Sequence, residues 1–137
     1  MVDRPKGINI WIIVEIITAI SLIIFAILCL TGIAFQYYNT NIQANLESLL
    51  APLAVMRLDQ LILFMFTETM FFLYGILFLL LGLSFLASAV LLYMMKELGR
   101  LLSVFNGVFI LLSIVGLILG ILMIWYFRRS KTRSYFP

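Results

Sequence analysis

The chain of 137 residues has no histidine, one cysteine, three prolines and few charges, six acidic and nine basic, or 11% of its residues. Each shortage excludes something. Without histidine, the commonest metal ligand and the commonest general base are missing. The single thiol, Cys29, lies inside an apolar run. It cannot form an internal disulfide and reads as a small packing residue. A typical globular domain is about a quarter charged, so 11% is too little to solvate a soluble surface. There is no glycosylation sequon, lipidation motif, phosphate-binding glycine loop, dinucleotide fingerprint or Ser/His/Asp set. These absences predict a chain that is not an enzyme, holds no cofactor or metal and takes no small-molecule substrate.

What the chain does have is hydrophobic sequence, 65% of it. Residues 8–35 carry one formal charge, Glu15; residues 61–95 carry one, Glu68; residues 101–127 carry none. Roughly 20 apolar residues in a helix cross ~30 Å of hydrocarbon. The expectation is an all-α integral membrane helical bundle, a single membrane domain over residues 1–137. It has three spans, at about 8–35, 70–95 and 101–127, or four if the middle run folds in two. The first run is too long for the ~7–15 residues of a signal-peptide core and reads as a retained helix. Trp11 and the group Phe35, Tyr37 and Tyr38 suit the two ends of that helix as interfacial anchors.

The middle run poses a length problem. As one helix its 35 residues would reach roughly 50 Å, longer than one span needs and too short for two with a turn. Gly75 and Gly82 lie in apolar surroundings, where an exposed turn would strand backbone polar groups in lipid. One true span from about 70 to 95 resolves this, with the polar notch Thr67-Glu68-Thr69 marking its start. The segment before it, about 41–69, is expected at the interface. There Thr40 and Gln43 have the spacing of a capping box. Ile42, Leu46, Leu49, Leu50 and Leu53 form one apolar stripe of an amphipathic helix that Pro52 should end.

The net charge of +3 and pI near 9.2 could indicate nucleic acid. The basic residues sit at the ends of apolar runs, however, so contact with lipid headgroups explains them better. Arg128, Arg129, Lys131 and Arg133 are the expected headgroup contacts and place the C-terminus in the cytoplasm. Three spans then put five basic residues inside and four outside, a weak bias; four spans put six inside and three outside.

Glu15 and Glu68 are the candidate functional residues. A carboxylate within a bilayer is costly, so it faces protein or water and finds a partner. Contact with a partner subunit, internal hydrogen bonding, a proton or cation path and plain solvation near the interface are the open readings. Small residues give the second signal. Gly116 and Gly120 form a GxxxG pair, Asn106, Ser113 and Gly120 recur at sevens, as do Gly75, Gly82 and Ala89, and Ser84 and Ser88 add a further small-xxx-small pair. These positions predict close helix packing. Seven methionines, with Met94 and Met95 adjacent, suggest Cu(I) only superficially; without histidine or M-x-M clusters they are better read as filler in apolar helices.

Arg4-Pro5-Lys6-Gly7-Ile8 leads into a helix with an early Glu15, and Trp125-Tyr126-Phe127-Arg128-Arg129 closes on Tyr135-Phe136. Together these ends resemble small archaeal multi-pass membrane proteins of unknown function. Those proteins open on an R-P-x-G leader and close on an aromatic pair, a basic patch and a final Y-F. This chain has Arg129-Ser130 where that pattern usually has a proline after the first basic residue. The resemblance covers about a third of the chain and implies an archaeal membrane setting without an activity. The expected role is a non-catalytic accessory or structural subunit of a larger membrane complex, of respiratory or oxygenase type, in contact with lipids and other membrane subunits. The alternatives are a small transporter or channel component using its carboxylates, and a self-assembling membrane or envelope protein.

Overall fold

The computed structural model describes residues 4–114 and 116–137. Among them every regular element is helical: α1 (Lys6–Leu30), α2 (Ile33–Asn41), α3 (Gln43–Leu50), a 3-10 segment (Ala51–Met56), α4 (Leu58–Phe64), α5 (Glu68–Tyr93), α6 (Glu97–Ile110), α7 (Leu117–Arg128) and α8 (Ser130–Arg133). Two of these, α1 and α5, are long and apolar enough to cross a membrane.

Three expectations need correction. The first helix does not run on to residue 35. It stops at Leu30, and Gly32, at φ +78°, turns the chain into α2; that left-handed backbone suits a residue without a Cβ. The capping box is not formed. Thr40 bonds back to Gln36 O (2.9 Å), and the Gln43 amide donates to Glu47 (2.8 Å).

The largest correction concerns residues 101–127, expected as a third span. They form a helical hairpin in which α6 packs on α7. At 14 and 12 residues the two arms are about 21 Å and 18 Å long, so neither covers ~30 Å alone. At the turn the Ser113 hydroxyl accepts the Gly116 N–H (3.0 Å). The arms meet at glycines: a Cβ on Gly120 would lie 2.7 Å from Gly107 O, and one on Gly107 3.1 Å from the Ile124 side chain.

The chain divides into two compact units. The first comprises Met1–Leu22 and Leu80–Pro137. Its core joins Ile8 and Ile12 of α1, Ala89, Leu92 and Met95 at the end of α5, Phe127 of α7, and Phe136. A second cluster, Ala19, Phe85 and Met123, continues it. The turn from α5 to α6 is a Schellman-type cap. Met95 adopts φ +54°, its N–H bonds Leu92 O, and the Lys96 N–H bonds Leu91 O, both at 2.9 Å.

The second unit, Ile23–Leu79, is built on aromatic contacts. Tyr38, buried on α2, stacks on Phe66 with ring centroids 5.1 Å apart, and Phe35 and Phe71 complete the group. The Tyr74 hydroxyl donates to Met65 O (2.9 Å), tying the turn before α5 to its first helical turns. Gly75 admits the Leu30 side chain, which would lie 2.7 Å from a Cβ there. The apolar stripe expected for the interfacial helix is only partly covered: Leu50 is buried, whereas Ile42, Leu49 and Leu53 are exposed.

Candidate functional site

The inward positions of α1 in the first unit are Ile8, Ile12, Glu15 and Ala19, spaced by four, three and four, the period of a helix face turned to a partner. Glu15 therefore occupies a core position by register. Its neighbours supply polarity from two other helices. Ser88 of α5 and Ser103 and Asn106 of α6 are, like Glu15, at 0% exposure, and Ser84 is half-buried.

These groups are connected. The Ser84 hydroxyl donates to Asn106 Oδ1 (2.6 Å), and Asn106 Nδ2 donates to Ser88 Oγ (3.2 Å). Ser88 Oγ also lies within hydrogen-bonding distance of Glu15 Oε2 and of Phe85 O, the latter at 2.9 Å. Ser103 bonds its own helix at Gly99 O (2.9 Å). Glu15 Oε1 is buried without a hydrogen-bond partner. The cluster thus links α1, α5 and α6 through one carboxyl group, one amide and two hydroxyls.

A second polar assembly lies at the start of α6. Arg100, 7% exposed, donates Nη1 to Phe127 O (2.9 Å) and so caps a carbonyl in the last turn of α7. It turns Nε (2.9 Å) and Nη2 to Glu97. The hydrogen bonds from Arg100 hold the Glu97 carboxyl below the usual carboxylate range.

Positively charged groups gather near this assembly. The Arg4 guanidinium lies 3.8 Å over the Tyr93 ring. A cavity of about 260 Å³ is lined by Pro5 and Gly7 together with Tyr126, Arg129, Lys131 and Thr132. The N-terminal end of α1, the α5–α6 turn and the C-terminal segment therefore share one end of the first unit. Arg129 stacks over Trp125 at 4.5 Å, and both line a cavity of about 450 Å³ with Ile121, Ile124 and Arg128. Arg128, Lys131 and Arg133 are exposed.

The two glutamates singled out in the sequence come apart. Glu68 belongs to the second unit, exposed in the first turn of α5, where a carboxylate suits the positive end of the helix dipole. It borders a cavity of about 360 Å³ with Thr31, Phe35 and Phe72. The small residues also separate. Gly75 receives Leu30, Gly82 and Ala89 are buried on α5, and Gly116 and Gly120 serve the hairpin. Ser113, expected on a packing face, is exposed and closes the turn. Ser84 and Ser88, expected as packing positions, are hydrogen-bonding partners. The sequence pattern places Asn106 only in a stripe of small residues. An amide in a charge-free apolar run is itself a signal, since it must find a partner there.

Among the described residues no three His, Cys, Asp or Glu side chains come together as a metal ion would require. No protein-family model matches the chain, and no curated protein or solved structure is significantly similar to it.

Proposed function

We propose that this chain is a non-catalytic, membrane-embedded accessory subunit of a larger assembly. The observation that carries this reading is its inverted polarity. Glu15, Ser88, Ser103 and Asn106 are fully enclosed, while Ile10, Ile17, Leu80 and Val90 of the two long helices are more than half exposed. Water penalises such an exterior; lipid and partner helices accept it. In this reading α1 and α5 span the bilayer and α6–α7 enters it as a re-entrant hairpin. Non-spanning helices are tolerated at that depth where protein covers their polar ends. The Arg100 guanidinium does this for the end of α7; at the exposed turn the Ser113 hydroxyl satisfies the Gly116 N–H, and a partner subunit would supply the cover.

Of the nine basic residues, all but Arg57 fall in the leader, the α5–α6 turn or the C-terminal segment, at one end of the first unit. By the excess of Lys and Arg that marks cytoplasmic loops, that end faces the cytoplasm, and both described termini lie there. This removes the near balance of charge, five against four, that three spans imply. Extracted in mild detergent, the chain should co-purify with other membrane subunits at fixed stoichiometry in native mass spectrometry. A homo-oligomer alone would instead support self-assembly.

The unpartnered Glu15 Oε1 favours a second reading, a transport component. Purified chain in liposomes with an ion-flux dye separates the two. Flux that is abolished by Glu15→Gln while assembly persists would overturn the accessory role.

A further inference from the structure

We propose that Glu15 is held inside the bundle as a neutral carboxylic acid that donates its proton to Ser88 Oγ. The inference follows from counting donors at Ser88. A serine hydroxyl has one hydrogen to give and two lone pairs to receive with. Three groups lie against Ser88 Oγ: the Asn106 amide, the carbonyl oxygen of Phe85 and Glu15 Oε2. The Asn106 contact runs through Nδ2, a donor, because Asn106 Oδ1 already accepts from Ser84. That occupies one lone pair of Ser88. Phe85 O can only accept, as can an ionised Oε2, and Ser88 has one hydrogen for the two; we place it on Phe85 O, at 2.9 Å. One lone pair remains, and Glu15 Oε2 faces it. Two lone pairs cannot bond each other, so Oε2 carries the hydrogen.

With that single proton every contact in the chain Ser84, Asn106, Ser88, Phe85 and Glu15 runs from a donor to an acceptor. Were Glu15 ionised, the Ser88 hydrogen would have to leave Phe85 O. The anion would then accept from Ser88 at Oε2, while Ser103, whose hydroxyl also lies beside the carboxyl, would have to leave Gly99 O to serve it; Oε1 has no partner, at 0% exposure. A buried carboxylate needs a cation or several donors. The charged groups on the elements packed around it do not supply them. Arg100 of α6 gives its donors to Glu97 and Phe127 O. Lys6 of α1, Lys96 before α6, Arg128 of α7 and Lys131 and Arg133 of α8 are exposed. The length of α5 inside this unit carries no charge. For a neutral acid, Oε1 is an unpaired carbonyl, a far smaller penalty than an unpaired charge. All of these contacts lie within one unit of the chain, so the inference holds whether or not partner subunits exist.

Infrared spectroscopy of the detergent-solubilised chain carrying ¹³C-carboxyl glutamate tests it. Four glutamates contribute, Glu15, Glu47, Glu68 and Glu97. At neutral pH the isotope-shifted carbonyl band of an un-ionised acid should be present, and it should vanish in Glu15→Gln. In Ser88→Ala, which removes the acceptor, the band should move to higher frequency. Carboxylate bands alone at neutral pH overturn the proposal, as does an acid band that survives Glu15→Gln. If Glu15→Gln does not fold, the Ser88→Ala spectrum decides: an unmoved acid band overturns the proposal.

Discussion

Asn106 is the residue on which the polar cluster turns. It accepts from Ser84 through Oδ1 and donates to Ser88 through Nδ2, so its removal affects both hydroxyls. Losing a buried partner costs about 1–3 kcal/mol. Asn106→Ala should lower thermal stability in detergent by that order, and Ser84→Ala, at a half-buried position, by less. Equal losses on differential scanning fluorimetry would show that Asn106 does not bridge the two serines. Gly120 is the second sensitive residue. A Cβ there meets Gly107 O at 2.7 Å, and backbone yields less readily than a side chain. Gly120→Val should therefore separate the hairpin arms, read as raised proteolysis near residue 113, while Gly32→Ala should strain the left-handed turn without any steric neighbour.

At the scale of elements, the α6–α7 hairpin depends on the pair at its mouth. Arg100 pulls the Glu97 carboxyl below its ordinary range. A carboxyl depressed in the folded state binds fewer protons folded than unfolded. Its contribution is thus complete above the ordinary glutamate value, about 4.3, and is lost as pH falls through the folded value. Glu97 is partly solvated, so the effect is modest. Unfolding midpoints measured from pH 7 to pH 3 should fall less steeply in Glu97→Gln than in the parent; parallel curves would refute the coupling.

This hairpin is also where sequence reading failed. Hydropathy sees no difference between the turn and its arms, because Leu111, Leu112 and Ile114 are as apolar as the helices they join. The signals were chemical and local. Gly107 and Gly120 permit two backbones to approach, and Ser113 lies three residues before Gly116 with a hydroxyl to accept its N–H. Elsewhere the sequence was more legible. The notch at residues 67–69 does mark the start of α5 at Glu68. The polar residues 96–100, which suggest a turn, lie mostly in helix: the chain turns at residues 94–96, and Glu97, Gly99 and Arg100 already belong to the first turn of α6. Glu15 was recognisable as a group that must either find a partner or stay hydrated near the interface. That its partner is Ser88 was not, since the two are brought together only by the packing of α1 on α5 across 73 positions.

At the scale of the whole molecule, the arrangement of apolar surface makes a prediction about solvent. The two tryptophans report from opposite environments. Trp11 packs on Tyr126 and Phe127, with centroids 5.8 Å away in both cases, whereas Trp125 is 57% exposed. In vesicles of brominated-chain lipid, fluorescence of the Trp11→Phe variant, which reports Trp125, should be quenched strongly. The Trp125→Phe variant should be quenched much less. Equal quenching would mean that lipid does not line the exposed face of α7. The same vesicles prepared with anionic headgroups should hold the wild-type chain more tightly than Arg128→Gln/Arg129→Gln, because both arginines lie beside Trp125 at the basic end.

The hairpin also has a consequence in time. A ribosome delivers this chain from its N-terminus, and α1 and α5 each have the length to enter a bilayer alone. The two arms of the hairpin do not. On the re-entrant reading proposed above, each would leave its end groups in hydrocarbon until the other arm and Arg100 were in place. Moreover Asn106 would arrive without its two serine partners unless α5 were already there to receive it. The last third of the chain can settle only as a pair, and only onto the parts of α1 and α5 that share its compact unit.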